Sequence, residues 1–299
     1  MAATAAPAPV PVRSPLPWSL AGRTAVILGG SSGIGLAAAE LLASVGARVL
    51  LVGRDKDRLD SALARVSAAA PRPETAPAQR DAAAVRPGVG AHSDVPAAFP
   101  GAAETQADVR AMSADVTDGD AMKEVFERAG SVDHVLMTAG YPSGIGPVTE
   151  LAPDAARTAV AAPVEAVLGI VRIAVPRMEP GGSFTLTSGV LVARPRPGMA
   201  APVSAAGAVE TLARALAVEL APVRVRANAI RYGAIDTPLL RSRGAAGAEG
   251  DAAIAEAGAG TPLGRFGTAE EAASAALFLM ANPYMSGEVL TVDGAQSLA

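Results

Sequence analysis

The chain reads Leu28-Gly29-Gly30-Ser31-Ser32-Gly33-Ile34-Gly35 between a short apolar run, Thr24–Leu28, and a helical pattern, Ile34–Ser44. The glycines allow a tight turn in which backbone N–H groups approach an anion such as a pyrophosphate, and the positive end of the following helix faces the same anion. A bare strand-to-helix turn is the alternative interpretation, because the spacing is G-x-x-x-G-x-G. The residues that we expect in such a phosphate-binding loop are Gly29, Ser31, Ser32, Gly33, Ile34 and Gly35.

Short apolar runs alternate with helical patterns along most of the chain. The predicted strands are Thr24–Leu28, Arg48–Val52, Val109–Ala114, Asp133–Met137, Ser183–Thr187, Val223–Ile230 and Glu288–Val292. The predicted helices are Ile34–Ser44, Asp57–Ser67, Ala121–Ala129, Asp154–Ala174, Ala205–Leu220 and Ala269–Ala281. This alternation predicts a single α/β domain on a doubly wound, Rossmann-type parallel sheet, and 299 residues are enough for one such core.

The composition restricts the chemistry that the protein can perform. Asp and Glu number 29 and Lys and Arg 25, giving a net charge of −4, so we expect neither nucleic acid nor an anionic membrane as a partner. The absence of cysteine excludes disulfides and thiolate catalysis, fits a cytoplasmic location, and with only 2 histidines leaves little for a metal site. The other reactive side chains are few: 3 tyrosines, and lysine only at Lys56 and Lys123.

Two segments interrupt the folded pattern. Residues 1–20 are rich in Ala and Pro and are expected to form a disordered tail, followed by a domain over residues 21–299. Residues 70–107 are a second Pro-interrupted, Ala-rich stretch, which we interpret as a flexible insertion in that domain. The longest apolar helix pattern contains Pro163, Glu165 and Arg172, so no membrane-spanning segment is expected.

Several motifs in order along the chain resemble the short-chain dehydrogenase/reductase family. They are the glycine loop, Asp115-Val116 after the third strand, Thr138-Ala139-Gly140 after the fourth, Ile235-Asp236-Thr237-Pro238, Pro262-Leu263-Gly264-Arg265 and Val292-Asp293-Gly294. The resemblance runs from about Leu20 to the C-terminus apart from the 70–107 insertion. It implies a dinucleotide cofactor that contacts the glycine loop and Asp115, Val116, Thr138, Ala139, Gly140, Ile235 and Thr237. It also implies a small-molecule substrate and a homo-oligomer.

Arg54 lies 19 residues after Gly35, at the end of the second predicted strand, where an acidic residue would bind the ribose 2′-hydroxyl of NAD(H). A guanidinium at this place can pair with a 2′-phosphate instead. The resemblance therefore implies NADP(H) as the cofactor. NAD(H) stays open because Asp55 is the next residue.

The family's proton relay of Ser, Tyr, Lys and Asn is not found in this sequence. The resemblance places Gly189 at the Ser position, Pro202 at the Tyr position, Ala206 at the Lys position and Pro163 at the Asn position. The chain has no Lys after Lys123 and no Tyr between positions 141 and 232, so a Tyr-x-x-x-Lys pair cannot occur in this region. A positioned general acid contributes roughly 10²–10⁴-fold to rate, while hydride chemistry belongs to the cofactor.

Three side chains are candidate replacements for the missing relay. Ser188 precedes the vacant Ser position at a strand end, with a strand-end cap as the alternative. Tyr141 directly follows the Thr138-Ala139-Gly140 turn, and Tyr232 stands where the family has proline beside the nicotinamide. For Tyr232 a packing role is the alternative.

Three functions are compatible with these observations. The first is an NADP(H)-dependent oxidoreductase acting on a small organic substrate with a non-standard proton donor. The second is non-redox chemistry on the same fold, such as cyclisation or elimination, and the third is a catalytically silent partner subunit. The segment Leu239–Thr261, read as a substrate loop, consists mainly of Ala, Gly and charged residues and does not identify the substrate.

Overall fold

A computed structural model describes residues 19–70, 108–140, 142–242 and 247–299. Seven strands form one parallel sheet in the order β3-β2-β1-β4-β5-β6-β9. These strands are β1 (Thr24–Leu28), β2 (Arg48–Gly53), β3 (Val109–Ser113), β4 (Val132–Met137), β5 (Met178–Gly189), β6 (Arg226–Tyr232) and β9 (Val289–Val292). A separate two-stranded pair is formed by β7 (Ile235–Asp236) and β8 (Gly267–Thr268).

Eight α-helices are described, and the longer ones cover both faces of the sheet. They are α1 (Gly33–Ser44), α2 (Lys56–Ala69), α3 (Gly119–Ala129), α4 (Pro153–Ala174), α5 (Ala200–Glu219), α6 (Pro238–Arg241), α7 (Gly247–Ala259) and α8 (Ala269–Ala281). One buried cluster lies between the sheet and α3, α4 and α5, and the other between the sheet and α1, α2 and α8. The predicted doubly wound, single-domain fold is confirmed.

The strand order reverses between β1 and β4, which lie side by side in parallel register from Ala25 opposite His134 to Leu28 opposite Met137. In open parallel sheets, ligands bind in the crevice at the carboxyl ends of the strands where the order reverses. The glycine loop follows β1 and the Thr138-Ala139-Gly140 turn follows β4, so both border this crevice.

The structure corrects several predictions made along the chain. Leu20, the end of the predicted tail, is 1% exposed and packs into the core on the α1 side, so the folded body already includes it. Residues 1–18 and most of the 70–107 insertion lie outside the described residues. The predicted substrate loop contains most of α6 and all of α7, which the sequence did not suggest because the segment has no amphipathic stripe.

Helix α4 continues through Pro163, in agreement with the predicted helix Asp154–Ala174. A proline removes one intrahelical hydrogen bond, and the buried face of α4, which includes Val167 and Ile170, packs the helix onto the sheet on both sides of that point. Among the described residues, the stretch Pro153–Arg177 is long enough to cross a membrane and contains an 18-residue window with a mean hydropathy of 1.8. Core helices of soluble proteins meet the same criterion.

Three polar residues are buried side by side near the amino end of the sheet. His134, Ser183 and Arg226 are neighbours across β4, β5 and β6, and His134 Nδ1 lies 2.9 Å from Ser183 Oγ. Burial lowers the pKa of His134 from 6.5 to about 4, with the nearby Asp133 carboxylate opposing the shift. The folded protein therefore keeps this imidazole neutral at a pH where the unfolded chain would protonate it.

We expect acid to destabilise the fold through His134. The stabilisation is complete above the unfolded pKa of 6.5 and falls as the pH drops toward the folded pKa of about 4. Between about pH 7.5 and about pH 5 the free energy of unfolding should fall by about 2 kcal/mol through this group alone. Urea unfolding of the wild type and of His134→Asn, which is neutral throughout, measures the difference. Identical pH dependence in the two proteins would contradict the prediction.

Candidate functional site

The glycine loop has no room for a side chain at Gly29 or Gly35. Gly29 has φ +98°, and its N–H donates to Val52 O at 2.9 Å. A Cβ on Gly35 would lie 2.3 Å from Gly29 O and 2.6 Å from Thr138 Oγ1, closer than real Cβ atoms approach. The loop therefore folds back on itself and presents backbone at the start of α1, as the sequence predicts.

The start of α1 has no side-chain cap, as at α4, α5 and α6 but unlike at α2, α3 and α8. Ser32 occupies the N-cap position without a side-chain hydrogen bond, and the first turn has no acidic residue. By contrast, Asp55, Asp118 and Thr268 cap α2, α3 and α8 with their side chains. The first N–H groups of a helix need a partner, and an anion supplies one. The start of α1 is therefore suited to a phosphate.

Two further predicted segments meet the glycine loop. The N–H groups of Thr138 and Ala139 both donate to Leu28 O at 2.8 Å, which ties the turn after β4 to the end of β1. A Cβ on Gly33 would lie 3.4 Å from the side chain of Thr237, so the Ile235–Thr237 segment borders the start of α1. The structure thus brings together most of the cofactor residues predicted after β1, β4 and β6. Ile34 and Ile235, which are also predicted cofactor residues, pack on the α1 side of the core. Gly140 has a φ of +155°, a backbone conformation that favours glycine.

The predicted cofactor residues Arg54, Asp115 and Val116 follow β2 and β3 and form the other end of the candidate site. Arg54 is 78% exposed and its Nη1 lies 3.8 Å from Asp115 Oδ2, while Ser113 Oγ donates to Arg54 O at 3.0 Å. The Thr117 N–H and hydroxyl both donate to Asp115 and lower its pKa, with a smaller contribution from Arg54. Val116 packs partly buried on the core. The predicted residues Arg54 and Asp115 are therefore neighbours.

Asp55, which left NAD(H) open in the sequence, has a local role. Its side chain is the N-cap of α2, where Oδ1 accepts from Arg58 N at 3.0 Å. The other carboxylate oxygen lies 3.2 Å from Arg58 Nε. Both oxygens of Asp55 therefore have partners within the first turn of α2.

Three of the four residues that the resemblance places at relay positions lie where β5 ends and α5 begins, and the fourth, Pro163, lies in α4. Gly189 is the last residue of β5, and Pro202 and Ala206 lie in the first two turns of α5. Ser188 Oγ is 3.5 Å from Ala206 O, which places these turns of α5 against the end of β5. No side chain at these three positions can donate or accept a proton.

Ser188 is part of a buried ion-pair cluster that the sequence did not reveal. Its Oγ donates to Glu210 Oε1 at 2.7 Å, and Arg231 donates to the same carboxylate through Nε at 2.9 Å and Nη2 at 2.6 Å. The Glu210 side chain is 5% exposed. Bonding to Glu210 raises the pKa of Arg231, so this cation stays charged. Ser188 is neither a strand-end cap nor a free hydroxyl, because its hydroxyl is bonded to Glu210.

Tyr232 lies on the opposite side of the sheet from that cluster. It follows Arg231 in β6, and consecutive strand residues point to opposite faces, so Tyr232 packs among the core residues next to α8. Its hydroxyl donates to Ala272 O at 3.2 Å, and burial raises the pKa of the phenol. In this structure Tyr232 therefore occupies a packed position, with its side chain on the opposite side of the sheet from Ser188.

Tyr141, the third catalytic candidate, lies outside the described residues. Tyr284 is 97% exposed in the loop before β9. Among the described residues, no group of three or more His, Asp and Glu side chains is placed to hold a metal ion.

Sequence reasoning missed Glu210 and Arg241. Glu210 lies beside Val209 and Ala213 in the buried part of α5, and a charged residue among apolar ones is a signal that could have been used. Arg241, at the end of α6, binds Asp236 and Asp251, and no local pattern indicates these partners. Both residues contact predicted segments, because Glu210 binds Ser188 and Arg241 binds Asp236 beside Thr237.

Models of known families match almost the whole folded chain. Residues 23–90 match the model described as short chain dehydrogenase, and residues 91–295 match the model described as enoyl-(acyl carrier protein) reductase. Among curated proteins, the short-chain dehydrogenase/reductase ATR9 of Stachybotrys chlorohalonatus is 29% identical over 279 residues, covering 92% of this chain and 97% of the relative.

Two solved structures are similar over nearly their full length. The reductase/Diels-Alderase MalC from Malbranchea aurantiaca has a TM-score of 0.76 and 25% identity, covering 95% of this chain and 99% of MalC. An NADPH-bound short-chain oxidoreductase from Pseudomonas aeruginosa PAO1, described as containing an atypical catalytic center, has a TM-score of 0.75 and 27% identity, covering 94% and 99% of the two chains.

Proposed function

Because the chain belongs to the short-chain dehydrogenase/reductase family, we propose that it is an NADP(H)-dependent oxidoreductase that acts on a small organic substrate with a non-standard proton donor. The observation that carries this proposal is the glycine loop. Gly29 and Gly35 leave no room for a side chain, and the start of α1 has no capping side chain of its own. These residues fit a pyrophosphate on backbone N–H groups.

Different residues around the crevice would contact different parts of a dinucleotide. The start of α1 would hold the pyrophosphate, Asp115 and Val116 would border the adenine, and Thr237 would lie beside the nicotinamide. When bound, NADP(H) supplies the hydride chemistry. The residues of the protein would bind the cofactor, orient it and keep water out of the crevice.

The surroundings of Arg54 support NADP(H) over NAD(H). Its guanidinium is largely exposed and has only a long, 3.8 Å contact to Asp115, so it is free to pair with a 2′-phosphate. The residue that could bind a ribose 2′-hydroxyl instead, Asp55, is bonded within the first turn of α2. The Arg54 guanidinium is therefore available to a 2′-phosphate, whereas the Asp55 carboxylate is already bonded to Arg58.

We expect Arg54→Ala to weaken NADPH binding about tenfold and to leave NADH binding within about twofold. The magnitude is that of one charge-assisted hydrogen-bonded pair at an exposed site. Calorimetric titration of both cofactors measures the change. Arg110→Ala is the matched control, because Arg110 is also an exposed arginine paired with an aspartate, Asp108, but lies at the amino end of the sheet. Equal affinity of the wild type for the two cofactors would contradict the preference.

Tyr141 is the candidate that we propose as the proton donor. Ser188 is bonded to Glu210 and Tyr232 is buried next to α8. Tyr141 remains, and its position directly after the Thr138-Ala139-Gly140 turn supports it as the donor. A Tyr141→Phe variant that keeps NADPH affinity but loses turnover would agree with this assignment, whereas unchanged turnover would exclude it.

Non-redox chemistry is the second candidate function. Two observations favour it: Gly189, Pro202 and Ala206 have no group that can transfer a proton, and the similar protein MalC is described as a reductase/Diels-Alderase. Incubation with NADPH and a panel of carbonyl, enone and imine substrates distinguishes the two functions. Loss of reduced-nicotinamide absorbance supports the oxidoreductase, and product formation with unchanged absorbance supports the alternative.

A homo-oligomer is also part of the proposal. Two large apolar side chains, Leu168 on α4 and Val218 on α5, are 47% and 78% exposed. The two helices pack against each other, and self-association would cover their exposed apolar side chains. Light scattering of the purified chain tests this point.

A further inference from the structure

Helix α7 has almost nothing apolar to hold it in place. Its sequence, Gly247–Ala259, consists mainly of Gly and Ala, and the only buried residues in it are Gly250 and Gly258. Most helical stability in proteins comes from packing an apolar face, and α7 has only one large apolar side chain, the half-buried Ile254. Its position must therefore depend on a few specific contacts at its ends.

The contact near the beginning of α7 is a three-way ion pair centred on Arg241. Nε and Nη2 of Arg241 donate to the two oxygens of Asp236 at 2.6 and 2.8 Å, in the two-pronged geometry that suits a guanidinium. The remaining arm, Nη1, donates to Asp251 Oδ1 in the second turn of α7 at 2.5 Å. One side chain thus joins β7 to α7.

Asp236 is the residue immediately before Thr237, whose side chain borders Gly33 at the start of α1. The guanidinium therefore connects α7 to the segment proposed to contact the cofactor. At 41% exposure, Arg241 is reachable by solvent, so the pair should be sensitive to salt.

The other end of α7 is held differently. A Cβ on Gly258 would lie 3.1 Å from backbone atoms of Arg265 and Phe266, and Thr261 Oγ1 donates to Arg265 O at 2.9 Å. Arg265 in turn donates to both oxygens of Glu271 at 2.8 and 2.7 Å, beside the capping box of α8. The C-terminal end of α7 is fixed by close backbone packing, whereas its beginning relies on Arg241.

We propose that Arg241 is a positioning residue that fixes α7 on the segment Ile235–Thr237, so that binding of cofactor at Thr237 is transmitted to α7 through Asp236, Arg241 and Asp251. The transmission to α7 rests on the proposed function, because it requires that NADP(H) bind beside Thr237. The contact between Arg241 and α7 does not depend on the cofactor.

Hydrogen–deuterium exchange of the α7 amides in the full chain, with and without NADPH, tests the proposal. Asp251→Asn removes the charge from the α7 partner while leaving the Asp236 pair intact. Without NADPH, we expect the α7 amides to exchange about two- to fivefold faster in this variant than in the wild type, the range for loss of an exposed ion pair. With NADPH, the wild type should show further protection of α7, and the variant should not, although its NADPH affinity stays within about twofold.

Two controls separate a positioning role from general weakening. Asp154→Asn removes another exposed aspartate paired with an arginine, Arg157, at the start of α4, and should leave α7 exchange unchanged. Asp251→Glu keeps the carboxylate and should restore the NADPH-dependent protection. A merely structural role for Asp251 would lower the urea midpoint without removing the response of α7 to NADPH.

The outcomes are distinct. Equal α7 exchange in the wild type and Asp251→Asn would overturn the proposal, with or without NADPH binding. Faster exchange in the variant with undiminished protection by NADPH would overturn the transmission from the cofactor. If the wild type binds no NADPH, the proposed function fails and so does the transmission, while the comparison without cofactor still decides whether Arg241 holds α7.

Discussion

Gly35→Ala is expected to abolish NADPH binding, with affinity reduced at least about 100-fold. The added methyl group would lie 2.3 Å from Gly29 O and 2.6 Å from Thr138 Oγ1. The nearest of these is a backbone atom, so the loop itself must move. Forcing an extra methyl into a close-packed site costs about 1–3 kcal/mol and displaces the backbone that should hold the pyrophosphate. Calorimetric titration and urea unfolding measure the two effects.

Gly119→Ala is the matched control for this variant. Gly119 is the first residue of α3, and a Cβ there would have no atom within 4 Å. Because alanine favours helix over glycine, this control should bind NADPH like the wild type and be equally stable or slightly more stable. Normal NADPH affinity in Gly35→Ala would show that the glycine loop is a bare turn and not the cofactor cradle.

Glu210→Leu is expected to cause a large loss of stability, about 3–5 kcal/mol in the free energy of unfolding. The substitution leaves the Arg231 cation partly buried without its carboxylate and leaves the Ser188 hydroxyl without its partner. Removing one member of a buried ion pair costs this much because the remaining charge is uncompensated. Urea unfolding near neutral pH measures the loss.

The double variant Glu210→Leu/Arg231→Met provides the control. Replacing both members of a buried pair by apolar residues is often close to neutral, so we expect the double variant to recover most of the lost stability. Ser188→Ala removes only one hydrogen bond to the carboxylate and should cost about 1.5–3 kcal/mol. A loss below about 1 kcal/mol in Glu210→Leu would contradict the view that this cluster joins α5 to β5 and β6.

The fold and the cofactor crevice could be predicted because their signals are local. The glycines at 29, 33 and 35 require a tight strand-to-helix turn wherever the chain is placed, and the alternating apolar and helical patterns predict the parallel sheet. Once the sheet is formed, its strand order brings the turns after β1 and β4 together. The residues of this crevice therefore follow from segments that are each recognisable alone.

The orientation and the partners of the candidate side chains could not be predicted in the same way. Arg231 and Tyr232 are consecutive in β6, and the sequence shows that they face opposite sides of the sheet without showing which side each faces. The partners of Arg231 and Arg241 depend on tertiary contacts: Glu210 is 21 residues from Arg231 and Asp251 is 10 residues from Arg241. Helix α7 was missed because Gly and Ala give no amphipathic stripe.

Titration of the 299-residue wild-type chain with NADPH and NADH measures whether the crevice binds a dinucleotide. We expect saturable binding of NADPH, tighter than that of NADH, at one site per chain, and loss of that site in Gly35→Ala. Binding of neither cofactor to a chain that is folded by circular dichroism would contradict the claim that this crevice is a working NADP(H) site.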